Sequence, residues 1–199
     1  MLAYLVLLLA VLSRVLPHAF HASSWNFTAV GGGLLFFGSQ MNQSRSASTR
    51  RAASNWAPAA KIASAVAVLM ATDYYLTVYT YHYPFQASGY LVTWAWYAAV
   101  CLLGMEILRK TTVLRVAAGV LASATSFFLH SNFVVWAGST MYAHSLSGLA
   151  TCYTLALPFY RNDLVSTAIT ATALFGLPVL ATKIAEIVEA AHHNNLPTA

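Results

Sequence analysis

Charged side chains are scarce in this 199-residue sequence: they make up 8% of it, whereas 59% of the residues are hydrophobic. A soluble domain carries about 25% charged residues, which is enough to cover its surface. This chain lacks the charge to form such a surface, and its mean hydropathy of +0.63 agrees with that. The sequence therefore predicts one integral membrane domain over residues 1–190, followed by a polar C-terminal tail at 191–199.

Acidic residues are especially few, with five Asp and Glu against ten Lys and Arg. So few carboxylates argue against a metal-dependent hydrolase and against a proton pump with a carboxylate relay. The sequence also lacks a nucleophile elbow, a phosphate-binding loop and a paired-carboxylate motif, so we expect a protein that is not an enzyme. The net charge of +5 does not indicate nucleic-acid binding, because the basic residues lie at the ends of apolar runs, where they orient membrane spans.

Only two cysteines occur, Cys101 and Cys152, and both lie inside apolar stretches. A disulfide framework or a CxxC metal site is therefore not supported, and small buried apolar residues are the simpler interpretation. A basic segment is also missing from the N-terminus, since Arg14 follows the first apolar run instead of preceding it. This order favours a retained first span over a cleaved signal peptide.

Apolar runs dominate what is present. A helix needs about 20 mostly apolar residues to cross a bilayer. The candidate spans are 1–16, 28–40, 60–80, 89–108, 112–137 and 164–188.

A further apolar run, 145–160, is either a seventh span or a membrane-depth helix that does not cross. Basic residues in the loop 41–60 and at 109–115 favour a cytoplasmic side for both regions, with the N-terminus inside. Charge does not distinguish six spans from seven, because either count places the same number of basic residues on each side.

Asp73 interrupts the outer half of the third apolar run, in the segment MATDYYLTVYT. An ionisable residue at that depth is costly and is by default a functional-site hypothesis. The alternative is a structural role, either an interhelical hydrogen bond or an ion pair with an arginine. If 145–160 does not cross, Arg161 reaches the same outer face and is the obvious partner.

Aromatic residues crowd the stretch around and after Asp73. They are Tyr74, Tyr75, Tyr79, Tyr81, Tyr83, Tyr90, Trp94 and Trp96. An aromatic belt at the membrane interface explains part of this enrichment, but a belt is spread over several helices. A binding mouth built from stacking rings and hydroxyl groups fits the concentration in one loop better.

Five histidines are expected on the same outer face: His18, His21, His82, His130 and His144. Together they could ligate a metal or a cofactor's metal, so a redox or haem protein using His130 and His144 is one hypothesis. No two histidines have the i, i+4 spacing within a helix that marks a strong metal site. Each alone is more typical of a hydrogen-bonded residue.

Three longer stretches carry a family resemblance: RVLPHAFHASSWNFTAVGGGLLFFG, SFFLHSNFVVW and GLATCYTLALPFYRNDLVSTAITATALFG. They resemble the signatures of a family of small bacterial integral membrane proteins. That family is related to the substrate-binding S components of energy-coupling-factor (ECF) vitamin transporters. The resemblance runs from Arg14 to Gly176, and among functionally understood proteins the chain resembles the small BtuM-type cobalamin transporters.

The resemblance implies an all-α, S-component-like membrane protein with six transmembrane helices and a membrane-depth helix near 145–160. Both termini would lie in the cytoplasm, and the protein would lie in the bacterial cytoplasmic (inner) membrane. It would bind or take up a vitamin-like small molecule in an outward-facing cavity, with cobalamin as one candidate ligand. Its partners would be the bilayer, the ligand, and an energising ECF module or a larger membrane complex.

The residues expected to bind the ligand are spread over the whole chain. They are Asp73, Arg161, Tyr90, His82, Asn26, Asn132, Tyr79 and Trp136. Cobalamin transporters of this type can use a cysteine as a cobalt ligand in the loop after Asp73. This chain has no cysteine there, and His82 could replace it chemically, with His18 and His21 as weaker metal candidates.

A second hypothesis is a structural or accessory transmembrane subunit of a larger membrane complex. It is supported by runs of small residues such as VAAGVLASATS and STAITATALFG. Small residues promote close helix packing, whether the helices belong to one chain or to two.

Overall fold

The computed structural model describes residues 1–19, 27–47 and 56–194, and the regular structure in these ranges is helical throughout. The helices are α1 (Leu2–Ala19), α2 (Val30–Ala47), α3 (Trp56–Tyr75), α4 (Leu91–Ile107), α5 (Val113–Gly138), α6 (Leu146–Ala171) and α7 (Leu177–Asn194). One π turn, Leu76–Thr80, extends α3, and another, Thr172–Gly176, joins α6 to α7 without a break. A 3-10 turn, Ala87–Tyr90, leads into α4. The prediction of an all-α fold is confirmed for these residues.

Four helical segments among the described residues are long and apolar enough to cross a membrane. They are Ala57–Thr80, Ala87–Ile107, Val113–Gly138 and Leu146–Glu189, while Leu2–Pro17 is apolar but shorter. The described helices, counting α6 and α7 as one, are therefore six, but they do not amount to six spans by length and composition. α2 is the clearest departure, because its second half, SQMNQSRSA, is polar.

The expectation of a separate membrane-depth helix near 145–160 is wrong. That stretch is the first part of α6, and the helix continues past Pro158 and through the π turn into α7. At about 1.5 Å per residue, the 44-residue segment Leu146–Glu189 is about 66 Å long. This is more than twice the hydrocarbon thickness of about 30 Å, so part of the helix extends beyond a single crossing.

The centre of the bundle is α2, whose residues 30–39 are all buried. Helices α1, α4, α5 and α6 all pack against it. The contact with α4 is the closest, because glycines remove the side chains between the two backbones. A Cβ atom at Gly38 would lie 2.0 Å from the carbonyl oxygen of Cys101, and one at Gly104 would lie 2.3 Å from that of Leu35.

The two cysteines are free and buried. Cys101 belongs to the core between α2 and α4, together with Leu34, Phe37 and Val100. Cys152 lies in α6. The prediction of small buried residues is confirmed for both cysteines.

Candidate functional site

Asp73 lies near the C-terminal end of α3 and is only 2% exposed. Arg14 Nη2, from α1, donates a hydrogen bond to its Oδ1 at 2.6 Å, and Trp94 Nε1, from α4, donates to its Oδ2 at 2.9 Å. The Tyr97 hydroxyl lies 3.3 and 3.4 Å from the two carboxylate oxygens, and it accepts a hydrogen bond from Arg14 Nη1 at 3.3 Å. We call Asp73, Arg14, Trp94 and Tyr97 the Asp73 cluster.

The Asp73 cluster ties three helices together through one compensated buried charge. The Arg14 side chain is 17% exposed, so both members of the ion pair are largely removed from solvent. A buried carboxylate is tolerated when a cation pairs with it and hydrogen bonds satisfy its oxygens, and both conditions are met here. This arrangement matches the structural alternative for Asp73, an interhelical hydrogen bond or an ion pair with an arginine.

The expectation that Arg161 pairs with Asp73 is wrong, because the partner is Arg14. Arg161 lies in α6, where its side chain is exposed. The sequence does carry one signal for Arg14: Arg14 and Asp73 each lie near the C-terminal end of an apolar run, and the expected topology places both ends on the outer side.

Two of the predicted aromatic residues, Tyr90 and Trp94, form a stack with Phe85 beside Asp73, whereas the predicted tyrosines of residues 74–83 are exposed. The Phe85 and Tyr90 rings stack with centroids 5.2 Å apart, and the Tyr90 and Trp94 rings stack at 5.9 Å. The hydroxyl of Tyr90 is also hydrogen-bonded to Thr77 Oγ1, in the π turn after α3. These contacts fold the loop after α3 back onto α4, with Tyr79 61% exposed at its edge.

We expect Tyr90→Phe to lower the free energy of unfolding by about 1 kcal/mol, because the variant keeps the ring stack but loses the bond to Thr77. The measurement is equilibrium unfolding in mixed micelles, followed by helical circular dichroism. Tyr83→Phe is the matched control, since Tyr83 belongs to the same loop and is 69% exposed. Equal effects of the two substitutions would show that the Thr77 bond contributes nothing specific.

A second polar site lies between α5 and α6, as a cavity of about 160 Å³. Its lining residues are Phe127, Phe128, Ser131, Asn132, Ala156, Phe159, Tyr160 and Asp163. We call it the α5–α6 cavity.

The polar groups of the α5–α6 cavity differ in how they are paired. Asn132 Nδ2 donates to the carbonyl oxygen of Phe128 at 2.7 Å, and the Tyr160 hydroxyl is 2.9 Å from Thr125 Oγ1. Asp163 Oδ2 is buried and has no hydrogen-bond partner among the described residues. The cavity therefore offers aromatic faces together with the Asp163 side chain.

A comparison of the sequence with protein-family profiles gives a match over nearly the whole chain. The profile of DUF6580, described as a family of unknown function, matches residues 1–190. The chain belongs to the DUF6580 family. No curated protein and no solved structure matches it. The region shared with the DUF6580 family includes both the Asp73 cluster and the α5–α6 cavity.

The predicted ligand-binding residues of this DUF6580 chain do not meet in one place. Asp73 and Tyr90 lie at the Asp73 cluster and its aromatic stack, whereas Asn132 lines the α5–α6 cavity. Trp136 Nε1 donates to the carbonyl oxygen of Ala143 at 2.9 Å, which fixes the α5–α6 connection. His82 is exposed and has a left-handed backbone, with φ 57°.

The remaining candidates can be placed only in part. Asn26 and His21 lie outside the described residues, and His18 lies in the last turns of α1. Within the described part of the chain, no three His, Cys, Asp or Glu side chains come close enough to hold a metal ion together.

Sequence reasoning missed Tyr160 and Asp163 as members of a site. The signal for Asp163 was the same as for Asp73, a lone carboxylate inside a long apolar helix. Asp163 falls between the predicted runs 145–160 and 164–188, whereas in the structure it lies inside α6.

Proposed function

We propose that this DUF6580 protein is a membrane-embedded binding or uptake protein for a small molecule. The observation that carries the proposal is the α5–α6 cavity, with its aromatic lining and the Asp163 side chain. Small-molecule sites typically combine a mostly apolar lining with a few polar groups that orient the ligand. In this proposal Asn132, Tyr160 and Asp163 contact the ligand, and the Asp73 cluster positions the helices.

The size of the cavity bears on the class of ligand. Its volume of about 160 Å³ lies below the range of roughly 300–1,000 Å³ that is usual for drug-sized ligands. A compact metabolite fits this volume better than cobalamin, whose corrin ring and nucleotide are much larger. The cavity therefore favours a ligand smaller than cobalamin, the candidate that the resemblance to BtuM-type transporters suggested.

The proposed topology is that of the ECF S components, with six crossings and a cytoplasmic N-terminus in the bacterial inner membrane. The burial of residues 30–39 of α2 supports this, because a helix segment covered by protein does not need a lipid-compatible surface. Lys61, Arg109 and Arg115 lie where α3 begins, α4 ends and α5 begins, at the end of the bundle opposite Asp73. The positive-inside rule then places the Asp73 end outside.

Native mass spectrometry of the chain purified from its own membranes in mild detergent tests the proposal. We expect a single chain that carries a small-molecule adduct. Ala156→Leu should remove the adduct, because Ala156 is buried and lines the cavity. Ala150→Leu, an exposed position in the same helix, should retain it. An adduct that survives Ala156→Leu in a folded protein would place the ligand elsewhere.

A structural or accessory subunit is the second candidate, and α7 is the observation that favours it. The main contacts of α7 are with the π turn that precedes it. Its apolar side chains are exposed, namely Leu177, Val179, Leu180, Ile184, Ile187 and Val188. The same mass spectrum distinguishes the two functions, because a multi-subunit assembly without an adduct would support the structural role.

A further inference from the structure

Three buried side-chain oxygens in the described parts of the chain have no hydrogen-bond partner: Ser123 Oγ, Asp163 Oδ2 and Thr167 Oγ1. Ser123 belongs to α5, and the other two belong to the facing helix α6. Ser123 is 1% exposed and Thr167 is fully buried. Leaving a buried polar group unpaired is unfavourable, so three such groups in one region indicate an occupant that the protein itself does not supply.

Gly31 of α2 shows that two of these oxygens are neighbours. A Cβ atom at Gly31 would lie 2.6 Å from Thr167 Oγ1 and 3.3 Å from Ser123 Oγ, so both oxygens lie close to one point. Asp163 and Thr167 are four residues apart in α6, which places their side chains on the same face, one turn apart. Ser123 and Thr167 thus lie where α2, α5 and α6 meet, and Asp163 lies one turn away along α6, at the α5–α6 cavity.

The charge of the three groups selects the class of occupant. One carboxylate contributes a single negative charge, and two hydroxyl oxygens contribute neutral, hard donor atoms that suit hard cations. A monovalent cation would neutralise this site, whereas a divalent cation would leave a net charge among membrane-spanning helices, where charge is costly. A π turn, Thr172–Gly176, begins just after Thr167, and such turns are frequent at functional sites.

We propose that Asp163, Ser123 and Thr167 form a binding site for a monovalent metal ion, and sodium is the ion with which the proposal is tested. The site shares Asp163 with the proposed small-molecule site, but ion binding does not require that function, because the ion is bound by the chain's own oxygens. Its position beside the α5–α6 cavity would make ion occupancy and ligand occupancy affect each other.

Binding of ²²Na⁺ to the full-length protein in detergent tests the proposal directly. Choline chloride replaces sodium chloride at constant ionic strength in these measurements. We expect saturable binding of about one ion per chain and an upward shift of the thermal unfolding midpoint with sodium concentration. Calcium should not displace the ion at equal concentration. The absence of saturable binding between pH 5 and 8, or displacement by calcium alone, would overturn the proposal.

Variants of α6 separate the site from the fold. Thr167→Val and Asp163→Asn should each weaken sodium binding at least tenfold, whereas Thr167→Ser should preserve it, because serine keeps the hydroxyl group. Thr170→Val is the matched control, since the hydroxyl of Thr170 already donates to the carbonyl oxygen of Ser166 at 2.8 Å. Equal binding by Thr167→Val and Thr170→Val would exclude Thr167 as a ligand and overturn the three-oxygen site.

The same preparations distinguish this proposal from the proposed function. The small-molecule adduct is read by mass and the ion by radioactivity, so each is measured without the other. A chain that binds sodium but carries no adduct would retain the ion site and remove the small-molecule assignment. A chain that carries the adduct but binds no sodium would retain the small-molecule assignment and overturn the ion site.

Discussion

Replacing Asp73 with alanine should lower the free energy of unfolding by about 3–5 kcal/mol, because Arg14 then stays buried without its counter-ion. The loss should be measured by equilibrium unfolding in mixed micelles. The double variant Arg14→Met with Asp73→Leu should recover most of it, since removing both charges also removes the cost of burying them. Glu106→Ala is the control, because the Glu106–Arg109 pair is exposed and should contribute little.

Asp73→Asn separates the structural role of Asp73 from the ligand-binding role that the sequence suggested. The amide keeps the shape of the side chain but removes its charge, so we expect a destabilised protein whose remaining folded fraction still carries the adduct. A fully stable Asp73→Asn protein that has lost the adduct would instead place Asp73 at the ligand. In that case the Asp73 cluster would be part of the binding site.

Gly38→Ala and Gly104→Ala should each destabilise the protein by about 3 kcal/mol or more, at the upper end of the usual effect of overpacking. In both cases the new methyl group would meet a backbone carbonyl oxygen, at 2.0 Å from Cys101 and at 2.3 Å from Leu35. Backbone atoms inside a helix cannot rotate away, so α2 and α4 would have to separate. The measurement is the yield of folded monomer in detergent together with its unfolding midpoint.

Gly89→Ala and Gly138→Ala are the matched controls, because a Cβ atom at either position would meet nothing within 4 Å. Neither glycine has a positive φ, so alanine introduces no backbone strain there. Both variants should unfold like the native protein or slightly later, since alanine favours helix over glycine. Native-like stability of Gly38→Ala would show that the α2–α4 contact is looser than the structure describes.

Helix positions were predictable from the sequence where an apolar run is uninterrupted. The runs 60–80, 89–108 and 112–137 correspond closely to α3 with its π turn, α4 and α5. The prediction failed at 145–188, where 145–160 and 164–188 were expected as separate elements and the structure has one continuous helix. Hydropathy does not register that a polar side chain in a helix can face another helix, as Asp163 does at the α5–α6 cavity.

The candidate site was predictable one residue at a time, but its pairings were not. Asp73 was identified as exceptional by its depth in an apolar run, whereas its partner Arg14 is 59 residues away in the chain. The expected topology places both Arg14 and Arg161 near the outer face, so it does not determine which of the two approaches the carboxylate. The three unpaired oxygens could not be predicted from the sequence either, because a missing hydrogen bond is apparent only once the positions of the neighbouring helices are known.

The burial of α2 has a consequence for how the chain enters the membrane. A nascent helix is retained in the bilayer according to its own apolarity, and the second half of α2 is polar. The helices α4, α5 and α6 that cover it are synthesised only afterwards. Insertion of the second helix is therefore expected to be completed late, when the fourth helix arrives to pack against Gly38. Assembly of the bundle would then proceed out of sequence order, with the centre closed by its later neighbours.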